Sequence, residues 1–179
     1  CPGWLLHAVR FVRRTKWLRL NMKTVPLGNS GRVAVVDDED FPNVNRYRWR
    51  LTRRENGKLY AMRTPRVAGH PTKRRAVYMH RFIMGVVGMI DHEDGDGLNN
   101  TRRNLRVATK SQNNANSDVS ERSSSGLKNV RLDNQLNKWV AYAKVNKKQI
   151  HLGIYTDLKE AAYAAHIASV ILFGDFANC

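Results

Sequence analysis

Apolar and polar positions alternate with a period of two in several short stretches, and the chain changes to a helical period near its end. Residues 32–36 (RVAVV) read as a strand that runs into the acidic turn Asp37–Asn43. Tyr47–Leu51 and Leu59–Arg63 alternate apolar with basic residues on either side of Glu55-Asn56-Gly57, which predicts a hairpin. Trp49 is expected in the core under that small sheet, because its side chain buries a large area. Arg46, Arg48, Arg50, Arg53 and Arg54 would then line the solvent face. Further on, Val130–Leu132, Lys138–Val145 and Gln149–Tyr155 read as three strands, with Asn146-Lys147 at the second turn. Asp157 and Glu160 make a start resembling a capping box. Leu158–Phe173 is then apolar at helical spacing, and Gly174 is a natural stop. In the middle strand Trp139, Ala141, Ala143 and Val145 share one face and should pack under this helix. Lys138, Val140, Tyr142 and Lys144 share the other and should be exposed. Alanines 161, 162, 164, 165 and 168 would let the helix approach the sheet closely.

This pattern predicts an α+β protein. Hydrophobic residues make up 42% of its 179 residues, enough to build cores, so general disorder is excluded. No run approaches the ~20 apolar residues of a membrane helix. Cys1 and Cys179 cannot supply a disulfide framework or a four-cysteine zinc site, so a metal would have to be held by His, Asp, Asn or Glu. The net charge of +16 makes a polyanion the expected partner, with nucleic acid ahead of a membrane surface. Residues 42–75 hold eleven basic residues against one acidic, the density of a phosphate-contacting surface. Residues 76–125 are neutral because Asp91, Glu93, Asp94 and Asp96 cluster there. Carboxylates inside a basic chain would repel phosphate, unless a cation lies between the two. Residues 1–21 are expected to be a poorly ordered basic extension, with Met22 opening the folded part. Residues 118–125 (DVSERSSS) read as a linker.

The stretch from Asp91 to Arg106 carries the candidate chemistry. An EF-hand reading fails, since its twelfth position is Arg102 where calcium needs a glutamate. A serine or cysteine triad has no support either, with both thiols terminal and no serine at a nucleophile elbow. A histidine at a strand end can serve as a general base near neutral pH. A neighbouring carboxylate can bind a hard cation such as magnesium or manganese, and an amide oxygen from a following helix adds a ligand without adding charge. Gly95 and Gly97 read as turn residues. His80 reads either as a buried structural histidine or as a second phosphate contact. The spacing D-H-x-x-G-x-x-x-x-N-x-x-x-N-L-R, followed by Gln112-Asn113-Asn114, resembles the HNH nuclease family, and its homing-endonuclease branch of phages and mobile introns in particular. Tyr78-Met79-His80-Arg81 resembles the segment that precedes the motif in that branch, so the likeness spans roughly residues 24–117. The resemblance implies a ββα-metal centre around one divalent cation, magnesium or manganese. It implies His92 as the general base and Asp91 and Asn113 as metal ligands, with Asn113 on a helix starting near Ser111. Asn104 would brace the loop and orient His92.

Residues 126–177 resemble the plant ethylene-response-factor type of DNA-binding domain. The matching residues are Gly126, Val130-Arg131, Lys138-Trp139, His151-Leu152-Gly153, Glu160-Ala161-Ala162 and Ala165. By that resemblance Lys128, Arg131, Lys138, Tyr142, Lys144, Gln149 and His151 face DNA. Tyr142, Gln149 and His151 depart from the plant pattern at reading positions, and Asp133 stands where a base-contacting arginine is expected. The domains expected are thus an N-terminal β-rich DNA-contacting segment (22–78), a nuclease centre (79–117), a linker (118–125) and a three-stranded antiparallel sheet packed on one helix (126–179). The function implied is metal-dependent cleavage of double-stranded DNA by a homing-type endonuclease of a phage or mobile element, acting in the cytoplasm of a bacterial host with no obligate protein partner. The competing class is a non-catalytic DNA-binding regulator whose HNH centre has decayed; the presence of Asp91, His92, Asn104 and Asn113 argues against it.

Overall fold

The computed structural model describes residues 22–119 and 123–178, so the expected extension 1–21 lies outside the described residues. The chain forms two compact units that divide between Val107 and Ala108.

In the first unit β1 (Met22–Pro26) and β2 (Val33–Asp37) pair antiparallel, with Met22 opposite Asp37 and Pro26 opposite Val33. Alternation turns Val25, Ala34 and Val36 inward, where they are buried. The acidic turn leads into a single helical turn, α1 (Phe41–Val44), with a proline in its first turn. Trp49 is 2% exposed and its Nε1 donates to the Val44 carbonyl at 2.8 Å, so the core position expected for it holds. The predicted hairpin is β3 (Arg50–Arg53) and β4 (Leu59–Arg63), with Arg54 and Lys58 closing the turn by a backbone bond of 2.9 Å. The five arginines expected on its solvent side are all exposed. The strand expected from Tyr47 begins three residues later, at Arg50.

A two-stranded ribbon follows, β5 (Arg66–Val67) with β6 (His70–Arg74), which the period-two pattern did not announce because it carries almost no apolar residue. Then β7 (Val77–Tyr78) joins the free edge of β4. Helix α2 (Met79–Met84) buries Met79, His80 and Ile83 and ends at Gly85, whose φ of +61° suits a residue without Cβ. Strands β8 (Met89–His92) and β9 (Leu105–Ala108) form a separate two-stranded sheet. The long loop between them is clipped to β2: Val35 donates to Leu98 at 2.9 Å, and Asn100 donates to Val35 at 2.8 Å. One apolar cluster, from Val25 and Leu27 through Trp49 and Met79 to Ile90 and Leu105, underlies these elements apart from the β5–β6 ribbon.

In the second unit α3 (Lys110–Ala115) opens with a capping box between Thr109 and Gln112. Strands β10 (Val130–Asp133), β11 (Lys138–Val145) and β12 (Lys148–Tyr155) form an antiparallel sheet in that order. Asn146 and Lys147 both have positive φ, the signature of a two-residue type I′ hairpin. Helix α4 (Leu158–Phe173) starts with Asp157 accepting from the N–H groups of Lys159 and Glu160. Ala161 and Ala165 of α4 pack with Val130 and Ala141 of the sheet, flanked by Trp139, Leu152 and Tyr155.

One position departs from the expected alternation. Val140 is 3% exposed although it shares the outer face with Lys138 and Tyr142. It sits in the middle strand directly between Arg131 and Ile154, whose longer side chains flank it on both sides. A register shift between Ala141 and Tyr142 lets β12 accommodate the extra residue Leu152, which joins the core side. Of the residues expected as a linker, 120–122 lie outside the described residues. Ser125 Oγ donates to the carbonyls of Leu127 and Val130 and accepts from the Leu127 N–H, so this serine belongs to the sheet's entry turn.

Candidate active site

Strand β8 ends on Asp91 and His92, and both are buried, at 5% and 6% exposure. Their neighbours explain how a carboxylate and an imidazole are kept at such depth. Arg106, across on β9, donates from Nε to Asp91 Oδ2 at 2.9 Å, and its second nitrogen lies 2.9 Å from the same oxygen. A buried carboxylate is tolerated only when paired, and Arg106 supplies that pairing for Asp91. Burial lowers the pKa of His92; the Asn100 side chain and the carboxylates of Asp94, Asp91 and Asp96 pull it back up. The imidazole is thus biased toward its neutral, proton-accepting form.

The loop after His92 is held by Asn104, 7% exposed, immediately before β9. Its backbone carbonyl accepts from Glu93 N at 2.9 Å and its Oδ1 from Asp94 N at 3.0 Å. Its Nδ2 donates to Asp94 Oδ1 at 2.9 Å and to the Asn99 carbonyl at 2.8 Å. A side-chain amide suits the position because it both donates and accepts. Asp94 and Asp96 in turn accept from backbone N–H groups two residues on, at 2.9 Å each, as Asx turns do. Gly95, with φ of +77°, is a turn residue as expected. Gly97 also lies in a turn as expected, closed by the Asn99 N–H donating to the Asp96 carbonyl at 3.1 Å, and it has a second role: a Cβ there would meet the Leu59 carbonyl at 2.3 Å and the Tyr60 ring at 2.5 Å, so glycine also serves close approach to β4.

Two rings close over His92, from α2 and β4, and a third, from β7, backs them. His80 lies 5.0 Å from it, centroid to centroid, at an interplanar angle of 87°. Tyr60 lies 5.8 Å from His92 and 5.9 Å from His80, and Tyr78 stacks on His80 at 5.5 Å. His80 is 8% exposed and its Nδ1 is buried without a hydrogen-bond partner. Leaving such an atom unsatisfied costs roughly 1–3 kcal/mol. Burial, with help from His92, Arg81 and Arg54, lowers the pKa of His80 to about 3, so its ring is neutral at working pH.

Among the described residues, the acidic oxygens that converge within 4.8 Å belong to Asp37, Glu39 and Asp40, not to the 91–96 loop. Arg102 engages all three. Its N–H donates to Asp37 at 2.7 Å, its guanidinium binds Asp40 at 2.7 and 2.8 Å, and Glu39 lies 3.3 Å away. That cluster is an ion-pair clamp between the acidic turn and the end of the loop.

Asn113 lies on α3 and is half-buried in the second unit. Of the seven expected DNA contacts, Arg131, Lys138, Tyr142, Lys144, Gln149 and His151 share the sheet face turned away from α4, with Tyr142 opposite His151 and Lys144 opposite Gln149. Lys144 Nζ lies 5.6 Å over the Tyr142 ring. Lys128 is differently engaged: its Nζ donates to the carbonyls of Ala115 and Ser117. Sequence reasoning missed Arg106 as the partner of Asp91, although it stands inside the N-L-R run. It also missed the ring cluster, whose members come from three separate elements.

No family model and no solved structure matches the chain. A curated relative does: an uncharacterized HNH endonuclease of Acanthamoeba polyphaga mimivirus is 31% identical over 157 residues, covering 82% of this chain and 74% of that protein.

Proposed function

Since the chain belongs to the HNH endonuclease family, we propose that it cleaves double-stranded DNA by hydrolysis at His92, with one divalent cation, magnesium or manganese, as cofactor. The observation that carries this reading is His92 at the end of β8, buried, its pKa lowered by that burial, and followed by a loop that Asn104 holds by four hydrogen bonds. In this reading an imidazole nitrogen of His92 takes a proton from water. The water oxygen attacks phosphorus and the bond to the leaving oxygen breaks. Asn104 fixes the loop and thereby the backbone that carries His92. By donor chemistry a hard cation would be held by the Asp91 carboxylate, which Arg106 holds in place, and we carry over Asn113 as a second, amide ligand from the family resemblance alone. When bound there, such a cation supplies Lewis-acid charge at the phosphate oxygens. The order β8, loop, β9, α3 supports a ββα centre within residues 79–117.

The outer face of the β10–β12 sheet would read DNA in the manner of the ethylene-response-factor type, through Arg131, Lys138, Tyr142, Lys144, Gln149 and His151. The basic segment 22–78 would hold the backbone. A homing role in a phage or mobile element is the setting such a pairing of domains suits. Among the described residues no helix is long and apolar enough to cross a membrane. Supercoiled plasmid incubated with magnesium or manganese, with and without EDTA, tests the reading. Wild type should nick or linearise it only with free metal, and His92→Ala should bind DNA but cleave ~10²–10⁴-fold more slowly. Wild-type cleavage by His92→Ala would remove the base assignment, and no cleavage by wild type would favour a regulator.

A further inference from the structure

The His80 side chain carries a buried polar atom that no group among the described residues satisfies. It is nine-tenths buried, its ring meets the His92 ring at a right angle, and its Nδ1 has no hydrogen-bond partner. A phenylalanine would fill the same space between Tyr78, Tyr60 and His92 without leaving a polar atom unpaired. A histidine held there at a cost in stability is explained if Nδ1 acquires its partner with the substrate, since strained or unsatisfied groups concentrate where function uses them. The His80 and His92 ring centroids lie 5.0 Å apart, so a phosphate that reaches one imidazole comes close to the other. The surroundings also favour an anion. Arg81 follows in the chain, and the Arg54 guanidinium lies 4.9 Å over the face of Tyr78, the ring stacked on His80.

We propose that His80 is a second catalytic imidazole, whose Nδ1–H donates a hydrogen bond to a non-bridging oxygen of the phosphodiester under attack. This rests on the hydrolytic reading of His92 and adds a named contact to it. As a neutral donor His80 stabilises the charge that develops on phosphate oxygen without competing for the proton that His92 removes from water. That division of labour follows from environment: burial and the neighbouring cations keep His80 uncharged down to about pH 3.

The test is single-turnover cleavage by full-length wild type, His92→Ala, His80→Phe, His80→Asn and His80→Gln, with DNA affinity and Tm measured alongside. His80→Phe keeps the ring and removes the donor. It should melt at or above the wild-type temperature, bind DNA within a few-fold, and cleave ~10²-fold more slowly, as loss of one oxyanion donor does. His80→Asn places an amide near the position of Nδ1 and should recover part of the rate, whereas His80→Gln, which reaches toward the Nε2 position, should not. A merely structural histidine gives a different result: Phe then cleaves at the wild-type rate, and the proposal is overturned. Where His80→Phe does not fold, equal rates for the Asn and Gln variants overturn it instead. If wild type itself cleaves nothing with either metal, the hydrolytic reading falls, and with it the role given to His80. That outcome is distinct from a wild type that cleaves while His80→Phe keeps pace with it.

Discussion

Asn104 makes three side-chain hydrogen bonds, two as donor and one as acceptor, and no other side chain of its size can make the same set. Aspartate there would lose both donors and bring a carboxylate against Asp94. We expect Asn104→Asp to lower unfolding free energy by about 2 kcal/mol or more, measured by urea denaturation. His80 makes a second residue-level prediction, this one about pH. Its folded pKa is about 3, against about 6.5 in an unfolded chain. Between those values the unfolded chain binds a proton that the folded chain does not, so stability falls as pH drops from about 6.5 toward 3 and is level above. The slope from this group is roughly 1.4 kcal/mol per pH unit, and His80→Phe should remove it from the urea midpoint profile. At this scale the sequence told some things and hid others. Asp91, His92 and Asn104 fall around one loop, as their local spacing suggests. Arg106 stood in the same motif, but its bond to Asp91 depends on which residues face each other across β8 and β9. The unpartnered Nδ1 of His80 depends on three rings from elsewhere and has no linear signature.

Elements were read most surely where pattern and turn chemistry agreed. The helix Leu158–Phe173 and the strand Lys138–Val145 have the boundaries the pattern predicts, since a cap, a positive-φ pair and a change of period all fall at their ends. Val140 escaped because alternation assigns a face but not what covers that face. The packing of Gly97 escaped for a related reason: its place in a turn is local, but its close approach to β4 is not. Gly97→Ala should therefore destabilise through collision with β4, by about 3 kcal/mol, the upper end of overpacking costs. A thermal melt would show it as a lowered Tm. An unchanged Tm would mean that β4 and the loop separate without cost.

For the molecule as a whole, a net charge of +16 makes the association with DNA an ion-exchange process. The β5–β6 ribbon is exposed, holds Arg66, Lys73 and Arg74, and is supported by almost no apolar contact. Replacing those three by glutamine should reduce the slope of log affinity against log salt by about 3, near one unit per phosphate contact. Fluorescence anisotropy at several salt concentrations measures it. An unchanged slope would put the phosphate contacts elsewhere, with the arginines of β3 or the sheet of the second unit. Total charge was plain in the sequence; this ribbon was not, because a strand pair without an apolar face has no period to detect.

The ties around α3 bear on how such proteins could be recombined. Lys128 holds the carbonyls of Ala115 and Ser117, Asn178 bonds Ala115 and Asn116, and the Ser111 hydroxyl accepts from Asn146 N at 2.9 Å. A sheet-and-helix cassette excised at Ser123 leaves those partners behind. One excised at Ala108 keeps them, and should melt at a higher temperature and with a sharper transition. The helix that carries Asn113 would then travel with the sheet, so a nuclease that borrowed this cassette would inherit a candidate metal ligand along with it.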